Sequence, residues 1–332
     1  MSLFFEKPIA NRSTASRSPQ RIVASGEPDA FVRSKPLEIA VVNNMPDAAL
    51  LSTEKQFARL LSSSLPSCPV RVTFYSLPSV QRDGGAEARV SENYGCIDEL
   101  METSVDGLIV TGAEPRAAHL TEEPFWSDLA ELTDWATSHT RSTIWSCLAA
   151  HAAVLHLDGI QRRRLAVKKS GIFACELAGP HWLTQDMVSP LTVSHSRWNE
   201  LAQDDLDIAG YRCITTSQGA GVDIFAKSLE SEFIFFQGHP EYDLRSLQYE
   251  YLRDFSRYLN CEQANVPTTP VNYFDAVTEA KLLQVQSHMQ SSPDGRYHGE
   301  RPSTQIRAGL EDQISFTAKG LFANWLQHLA TT

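Results

Sequence analysis

The sequence predicts an α/β protein with a mainly parallel β-sheet and helices on both faces. Two observations support this prediction. Short apolar runs alternate along the chain with longer amphipathic segments, as in successive strand–helix–strand units. The runs are short and mostly apolar, which is typical of strands that are buried on both faces of a parallel sheet. In such a sheet the functional site is expected at the carboxyl ends of the strands.

The predicted elements begin abruptly at residue 37. The first is the strand Leu37 to Val42, and the amphipathic segment 50–61 forms the helix that follows, with Phe57 and Leu61 on its apolar face. The later elements have the same two patterns. They are strands at 70–75, 107–110, 143–146, 211–215, 222–226 and 233–237, and helices at 122–139, 148–157, 244–259 and 318–329.

The chain divides into three regions by composition. Residues 1–35 contain scattered Ser, Arg and Pro with little periodicity, and we expect a flexible N-terminal arm there. Residues 36–260 form the α/β domain. Residues 261–332 form a C-terminal extension, with a polar loop at about 284–307 and a final helix that packs on the core.

Composition excludes several classes of function. The 29 Lys and Arg residues against 40 Asp and Glu residues give a net charge of −11, which argues against nucleic-acid or anionic-membrane partners. No segment has the run of apolar residues that a membrane span needs, and the N-terminus lacks the pattern of a secretory signal. The six cysteines include no Cys-x-x-Cys pair, so we expect reduced thiols, no metal site and a cytoplasmic location.

Cys147 is the first candidate for catalysis. It follows the predicted strand 143–146 and precedes the helix that starts at Leu148. A helix N-terminus stabilises negative charge through its unpaired N–H groups, so this position favours a thiolate nucleophile. A small buried core residue is the alternative interpretation of a single cysteine.

A histidine and a glutamate complete the candidate site. The apolar strand 233–237 ends in Gly238-His239-Pro240-Glu241, which places His239 at the same sheet edge as Cys147. A cysteine nucleophile needs a base, and that base needs a carboxylate that orients it. The combined pattern predicts a Cys147–His239–Glu241 triad, whereas a strand-capping histidine is the alternative for His239 alone.

These motifs make the chain resemble the class I glutamine amidotransferase-like fold, which has a flavodoxin-like core. Within that fold it is most similar to homoserine O-acyltransferases of the homoserine O-succinyltransferase type. The resemblance extends from about Leu37 to Trp325, and its longest part runs from Gly238 to Asp254. The other matching motifs are Asn44-Met45-Pro46, Asp106 to Ala113, Lys168-Lys169-Ser170-Gly171, His195-Ser196-Arg197, Asn272-Tyr273-Phe274 and Asn324-Trp325-Leu326.

The resemblance implies an acyl-CoA-dependent O-acyltransferase whose catalytic domain is residues 36–260. Acyl-CoA would be a co-substrate with no bound cofactor, and L-homoserine would accept the acyl group in methionine biosynthesis. By position, Cys147 would carry the acyl group as a thioester, with His239 as the general base and Glu241 as its partner. The family also implies a homodimer. The positions that match substrate contacts are Lys168, Ser196 and Arg253.

The chain departs from the family pattern at three positions. The lysine that usually follows Asn-x-Met-Pro and supports the oxyanion is replaced here by Asp47 and Ala48, so backbone N–H groups would do more of that work. His151, four residues after Cys147, stands where relatives commonly have Gln, and we expect it to pack or to form a hydrogen bond. The family's position for acyl-donor selectivity, Glu for acetyl and Gly for succinyl, is Arg116 here. An Arg would attract a succinyl carboxylate, which favours succinyl-CoA over acetyl-CoA.

Several alternatives remain open from the residues alone. Serine or another hydroxy-amino acid would replace homoserine if the site does not discriminate one methylene, which is worth only about 1–3 kcal/mol. A glutamine amidotransferase-type hydrolase is a second alternative, although Ser146-Cys147-Leu148 lacks the usual flanking glycines. A catalytically inactive binding protein is a third, because the lysine is missing. Lys168 would then be a solvated loop residue, and Arg253 an ion-pair partner of Glu250.

Overall fold

The described part of the chain contains eleven strands and nine helices. This part comprises residues 4–5, 22–23, 35–263, 265–291 and 302–332 of the computed structural model. None of these helices is both long and apolar enough to cross a membrane. The strands are β1 (Phe4–Phe5), β2 (Ile22–Val23), β3 (Leu37–Val42), β4 (Val70–Tyr75), β5 (Val105–Val110), β6 (Thr140–Ser146), β7 (Arg163–Leu177), β8 (Leu191–Glu200), β9 (Arg212–Ser217), β10 (Gly221–Ser228) and β11 (Glu232–Phe236). The helices are α1 (Asp47–Ser63), α2 (Gly84–Asn93), α3 (Ile97–Met101), α4 (Trp126–His139), α5 (Leu148–Asp158), α6 (Gln203–Ile208), α7 (Ser246–Leu259), α8 (Ala276–Ser291) and α9 (Leu310–Thr331).

One sheet contains all of these strands, in the spatial order β1-β2-β4-β3-β5-β6-β11-β10-β9-β7-β8. The central strands β4-β3-β5-β6-β11 pair in parallel. The strands from β11 to β8 in this order pair antiparallel. The predicted α/β fold is therefore confirmed, and the sheet is mixed because an antiparallel extension continues from its parallel half.

The parallel strands are buried on both faces because their side chains alternate between two cores. In β3, Ile39 and Val41 belong to one core, whereas Ala40 and Val42 belong to the other. Helices α1 and α9 cover the first core, and α4 and α5 cover the second. This arrangement explains why apolar residues follow one another in these strands instead of alternating with polar ones.

The register between β6 and β11 brings two strand ends together. Phe236 of β11 lies beside Ser146 of β6 in the parallel pairing. The N–H of Cys147 then donates to the Phe236 carbonyl over 2.7 Å. Consequently, the turn that follows β6 lies beside the loop that follows β11, at the sheet edge where the site is predicted.

Helix α9 lies flat against the sheet through Trp325. This side chain is fully buried, and its indole Nε1 donates to Ser142 Oγ over 3.0 Å. Gly107 of β5 makes room for it, because a Cβ there would lie 2.7 Å from atoms of both Trp325 and Leu329. The close approach of helix and sheet at this point depends on a residue without a side chain.

Two predicted boundaries in the C-terminal extension differ from the structure. Helix α8 continues to Ser291, into the segment predicted as a loop at about 284–307, because Leu282, Val285 and Met289 form a buried stripe at helical spacing. Residues 292–301 of that predicted loop lie outside the described residues. Helix α9 begins at Leu310, ahead of the predicted start at 318, because Leu310 is buried as well.

Most of the predicted N-terminal arm lies outside the described residues. Within it, β1 pairs antiparallel with β2, and β2 pairs antiparallel with β4 at the edge of the sheet. The flexibility of the arm and the division of the chain into three domains stay predictions.

Replacing Trp325 with Ala should lower the free energy of unfolding by about 3–5 kcal/mol, because it leaves a cavity between α9 and the sheet. Phe316→Ala is the matched control on the same helix, since the Phe316 side chain is 65% exposed. The control should change the free energy by less than about 0.5 kcal/mol. Urea unfolding followed by circular dichroism measures both values. If both variants lose the same free energy of unfolding, Trp325 does not hold α9 against the sheet.

Candidate active site

Cys147 occupies the turn between β6 and α5 in a conformation that few residues adopt. Its φ of 53° and ψ of −110° lie outside the main regions open to residues with a side chain. The strand side of the turn is fixed by the bond from the Cys147 N–H to Phe236, and the helix side by the His151 N–H, which donates to the Cys147 carbonyl over 3.2 Å. The fold thus holds the nucleophile candidate in a strained backbone at the sheet edge.

His239 and Glu241 form a hydrogen-bonded pair beside Cys147. Nδ1 of His239 lies 2.8 Å from Oε1 of Glu241, and both side chains are buried. Because an ionised glutamate only accepts, Nδ1 carries a proton, and Nε2 is left for the side-chain hydrogen bond between His239 and Cys147. Tyr242 stacks on the imidazole, with ring centroids 4.2 Å apart and an angle of 18° between the planes. The three residues predicted as a triad are therefore brought together.

The charges around His239 set its protonation. Burial alone would lower the pKa of His239, but the negative charges of Glu241 and Cys147 and the hydrogen bonds to both raise this pKa well above 6.5. His239 therefore holds its second proton while Cys147 is a thiolate. Loss of the negative charge on Cys147 would remove one cause of the elevated pKa, so the basicity of His239 depends on the state of the cysteine.

Cys147 and His239 lie on the wall of a cavity of about 480 Å³. The other walls come from the Pro46 loop, the loop after β5, the hairpin of β7 and β8, and helix α7. The segment 265–268, which follows α7, also lines the cavity, so the C-terminal extension contributes to it. The predicted substrate-binding residues on this wall are Lys168, Ser196 and Arg253.

Two carboxylates on α7, which the sequence analysis did not identify as site residues, hold Ser196 and Lys168. One oxygen of Glu250 accepts a hydrogen bond from Ser196 Oγ, and the other accepts from the Tyr242 hydroxyl over 2.6 Å. Lys168 Nζ lies 2.9 Å from Asp254 and 3.8 Å from Glu250. The i,i+4 spacing of Glu250 and Asp254 places them on one helix face, and that spacing was the available sequence signal.

Arg253 lies at the edge of the cavity with 48% of its side chain exposed. Its Nε and Nη2 donate to Oδ1 of Asp254 over 3.1 and 2.9 Å. Burial would raise the pKa of Asp254, but the charges of Lys168 and Arg253 outweigh burial and lower this pKa. Asp254 is therefore ionised and lies between the cations of Lys168 and Arg253. Arg253 pairs with Asp254 instead of with Glu250.

Arg116 is the one predicted site residue that the structure does not bring to the cavity. Its side chain is exposed, and it is absent from the cavity wall. The loop that contains Arg116 is held in place through its backbone, because the N–H groups of Arg116 and Ala117 both donate to Glu123 Oε1 over 2.7 Å. A role for Arg116 in donor selectivity stays a prediction that no contact in the structure supports.

The position of the missing lysine is occupied by an acidic side chain with other partners. Asp47 accepts hydrogen bonds from Arg82 over 3.2 Å and from the Asp83 N–H over 2.9 Å.

Backbone donors lie nearer to Cys147. Gly112 packs on the first residue of α5, so closely that a Cβ would be 3.1 Å from the nitrogen of Leu148. The N–H groups of a helix's first turn have no partner within the helix, so Leu148 offers a donor for an oxyanion.

His151 is a buried, uncharged histidine. Its Nε2 lies 3.2 Å from Oε1 of Gln237, whose amide nitrogen donates to the carbonyls of Val222 and Leu201. This network orients the amide so that its oxygen faces His151, and the His151 Nε2 is the donor. Burial, aided by the charge of Arg197, lowers the pKa of His151 to about 3. His151 therefore forms the hydrogen bond that the sequence analysis expected of it.

The glycine before His239 is required by a buried polar cluster beneath it. His195 Nε2 lies 3.2 Å from Oδ1 of Asp223, and both side chains are fully buried. A Cβ on Gly238 would lie 2.6 Å from that Asp223 oxygen and 2.9 Å from that His195 nitrogen. With Cys175, this cluster offers three metal-ligand atoms within 4.8 Å of one another, so the prediction of no metal site stays a prediction.

The fold and the site together define a class of protein. A cysteine on a strand–helix turn, with a histidine–glutamate pair at the end of the next parallel strand, is the arrangement of the class I glutamine amidotransferase-like fold. A glutamine amidotransferase structure from Thermotoga maritima is similar in fold, with a TM-score of 0.51 and 11% identity, and the match covers 90% of this chain and 100% of that chain. The predicted fold class is confirmed at this level.

Sequence comparison identifies the family. The homoserine O-succinyltransferase family model matches residues 16–332. A homoserine O-succinyltransferase of Rhodopseudomonas palustris is 48% identical over 333 residues, which covers 100% of this chain and 99% of the relative. One of Bradyrhizobium japonicum is 48% identical over 295 residues, covering 89% and 90%. The chain belongs to the homoserine O-succinyltransferase family, as its motifs predict.

The buried neutral His151 makes stability depend on pH. The unfolded chain takes up a proton at His151 as the pH falls through about 6.5, whereas the folded protein does so only near pH 3. The folded state therefore loses stability as the pH falls through this window, by about 2 kcal/mol between pH 6.5 and 5. His151→Gln does not titrate, so its free energy of unfolding, measured in urea at pH 7.5 and pH 5, should fall less than that of the wild type. An equal fall would show that His151 is charged in the folded protein.

Proposed function

We propose that this protein transfers a succinyl group from succinyl-CoA to the hydroxyl oxygen of L-homoserine through a thioester on Cys147. The observation that supports this most directly is the position of Cys147, His239 and Glu241 on a cavity that Glu250 and Arg253 also line. Membership of the homoserine O-succinyltransferase family supports both substrates. The O-succinyl ester activates the hydroxyl for later displacement, which places the reaction in methionine biosynthesis.

In the first half-reaction the Cys147 thiolate attacks the thioester carbonyl of the donor. The new carbon–sulfur bond replaces the one to CoA, and the CoA thiolate leaves with the proton of His239 Nε2 as free CoA-SH. This exchange between two thioesters is nearly thermoneutral, and it leaves His239 neutral. The negative charge that develops on the carbonyl oxygen is stabilised by the backbone N–H of Leu148 and by the adjoining loop at Gly112. These donors take the place of the lysine that is missing after Pro46.

In the second half-reaction His239 changes its role. Once Cys147 carries the acyl group it has no negative charge, and the pKa of His239 falls because only Glu241 still raises it. The neutral imidazole accepts the proton of the homoserine hydroxyl at Nε2 as the oxygen attacks the thioester. Collapse of the tetrahedral intermediate releases O-succinylhomoserine and restores the Cys147 thiolate beside the protonated His239.

The amino-acid acceptor is held by groups of opposite charge. Arg253 would bind the carboxylate of homoserine, since its guanidinium is half exposed at the cavity edge and Asp254 fixes its orientation. Glu250 would bind the ammonium group. Lys168 and Ser196 contact Glu250 and Asp254 and keep both carboxylates in place. We also propose that the protein acts in the cytoplasm as a homodimer, as the family resemblance implies.

Intact-protein mass spectrometry after brief mixing with succinyl-CoA tests the acyl-enzyme. The wild type should gain the mass of one succinyl group, whereas Cys147→Ala should gain none. Cys261→Ala is the matched control, because Cys261 is an exposed free thiol, and this variant should behave as the wild type does. An acetyl adduct from acetyl-CoA in place of the succinyl adduct would contradict the donor assignment. The absence of any adduct, together with glutamine hydrolysis, would replace the proposal with an amidotransferase-type reaction.

Glu241→Gln should lower kcat by about 10²–10⁴-fold, because the imidazole loses the carboxylate that orients it and that raises its pKa. The same loss should move the acid limb of the kcat–pH profile to lower pH, since a less basic His239 becomes neutral at lower pH. Steady-state kinetics with homoserine across the pH range measure both effects. An unchanged acid limb would show that Glu241 does not influence the titration of His239.

A further inference from the structure

Among the described residues, Arg162 is the cation on the cavity wall that has neither a hydrogen-bond acceptor nor an aromatic ring beneath it, since Arg164 lies over the ring of Trp198. Lys168 and Arg253 both bind Asp254. Arg257 Nη1 lies 3.5 Å from Glu114 Oε1. Arg197 donates to the Asn199 carbonyl over 2.8 Å. Among the described residues, Arg162 forms neither a hydrogen bond nor an ion pair. An unpaired guanidinium in a half-buried position loses hydration without compensation, so a ligand that supplies an anion there is favoured.

The position of Arg162 is close to the reacting cysteine. Burial lowers the pKa of Arg162, while the charges of Glu123 and Cys147 act in the opposite direction, so all three groups share one electrostatic environment. Its positive charge also helps to lower the pKa of His151, one helical turn after Cys147. Arg162 and Cys147 also line the same cavity, so Arg162 lies on the wall of the space that an acyl group on the cysteine would enter.

Arg162 also marks the junction of two cavities. It lines the catalytic cavity and a neighbouring one of about 650 Å³, and the two cavities share Pro115, Arg164 and Asn199 as well. Because the two cavities adjoin at Arg162, a donor that extends from the neighbouring cavity towards Cys147 would bring its acyl group beside this side chain.

We propose that the guanidinium of Arg162 binds the free carboxylate of the succinyl group and thereby selects succinyl-CoA over uncharged acyl donors. This proposal rests on the proposed function and deepens it. The succinyl carboxylate lies two methylenes beyond the thioester carbonyl, and a planar guanidinium is suited to a two-oxygen partner. Glu123 is not a partner of Arg162, because its Oε1 accepts from two backbone N–H groups and its buried Oε2 forms no hydrogen bond.

The neighbouring arginines are less suited to this role. Arg116 is exposed and absent from the cavity wall. Arg163 pairs with Asp205 over 2.6 Å, and 59% of its side chain is exposed. Arg164 lies over the ring of Trp198, 4.6 Å from its centroid. The donor selectivity that sequence position suggests for Arg116 is therefore assigned to Arg162.

The test compares kcat/KM for succinyl-CoA and butyryl-CoA, which have acyl chains of equal length with and without the carboxylate. Arg162→Gln should lower kcat/KM for succinyl-CoA by about 10- to 150-fold and change the value for butyryl-CoA by less than about 3-fold. Arg163→Gln is the matched control from the same run of arginines, and its ratio should equal that of the wild type. Arg162→Lys keeps the charge but not the planar guanidinium, so its ratio of kcat/KM for succinyl-CoA to kcat/KM for butyryl-CoA should be intermediate. This variant serves as the test if the Gln variant does not fold.

Two results would overturn the proposal. An equal loss with both donors in Arg162→Gln would assign Arg162 to binding of the CoA moiety or to structure. If Arg162→Gln leaves the ratio of kcat/KM for the two donors unchanged and Arg116→Gln changes it, donor selectivity belongs to Arg116. Failure of the proposed function looks different, because wild-type Cys147 would then form no adduct with either donor.

Discussion

The parallel pairing of β6 with β11 is the constraint on which the site depends. It places Phe236 beside Ser146, and the residue after each strand then belongs to the catalytic edge. The bond from the Cys147 N–H to Phe236 holds the cysteine in its strained conformation, and the next residues of the same loop deliver His239. A shift of one residue in this register would turn the side chains of β11 to the opposite cores and separate Cys147 from His239.

Charge compensation is the second organising principle of the cavity. Four of the six Lys and Arg residues on the cavity wall have a carboxylate or carbonyl partner, namely Lys168, Arg197, Arg253 and Arg257. Glu241 and the cysteine compensate His239, and Asp254 compensates Lys168 and Arg253. These pairs hold the side chains of the cavity wall in place. Arg164 lies over the ring of Trp198, whereas Arg162 has no such partner among the described residues, and the proposal that it binds an anionic part of the ligand rests on this difference.

The sequence predicted those parts of the structure that local patterns determine. The parallel strands are short and largely apolar, and the cysteine elbow and the Gly-His-Pro-Glu motif are each contiguous in sequence, so their place at one sheet edge followed from the fold class. Strands β7 and β8 were not predicted because they are long and because charged and polar side chains interrupt their apolar residues. The loop assigned to 284–307 begins too early for a similar reason, since only three apolar side chains mark the end of α8 as a helix.

Site residues were predictable where they fall within a motif and were missed where only the folded chain brings them together. Glu250 and Asp254 act through contacts with Lys168 and Ser196, which lie on the unpredicted strands. Arg116 shows the opposite case: it was selected by its place in a motif, but its backbone N–H donates to Glu123 and its side chain is exposed. Position in an alignment identifies a backbone location, whereas the direction of a side chain depends on its neighbours.

The packing of α9 on the sheet has a consequence for the order of folding during synthesis. Trp325 and Leu329 close one core against β5, and they follow every strand of the sheet in the chain. Until α9 has left the ribosome, that face of the sheet exposes the side chains that later contact it. The central strands therefore reach their final burial only after the ribosome has translated Cys147, His239 and Glu241. A nascent chain in which these three residues have already emerged still exposes an apolar face, and chaperones can recognise that face.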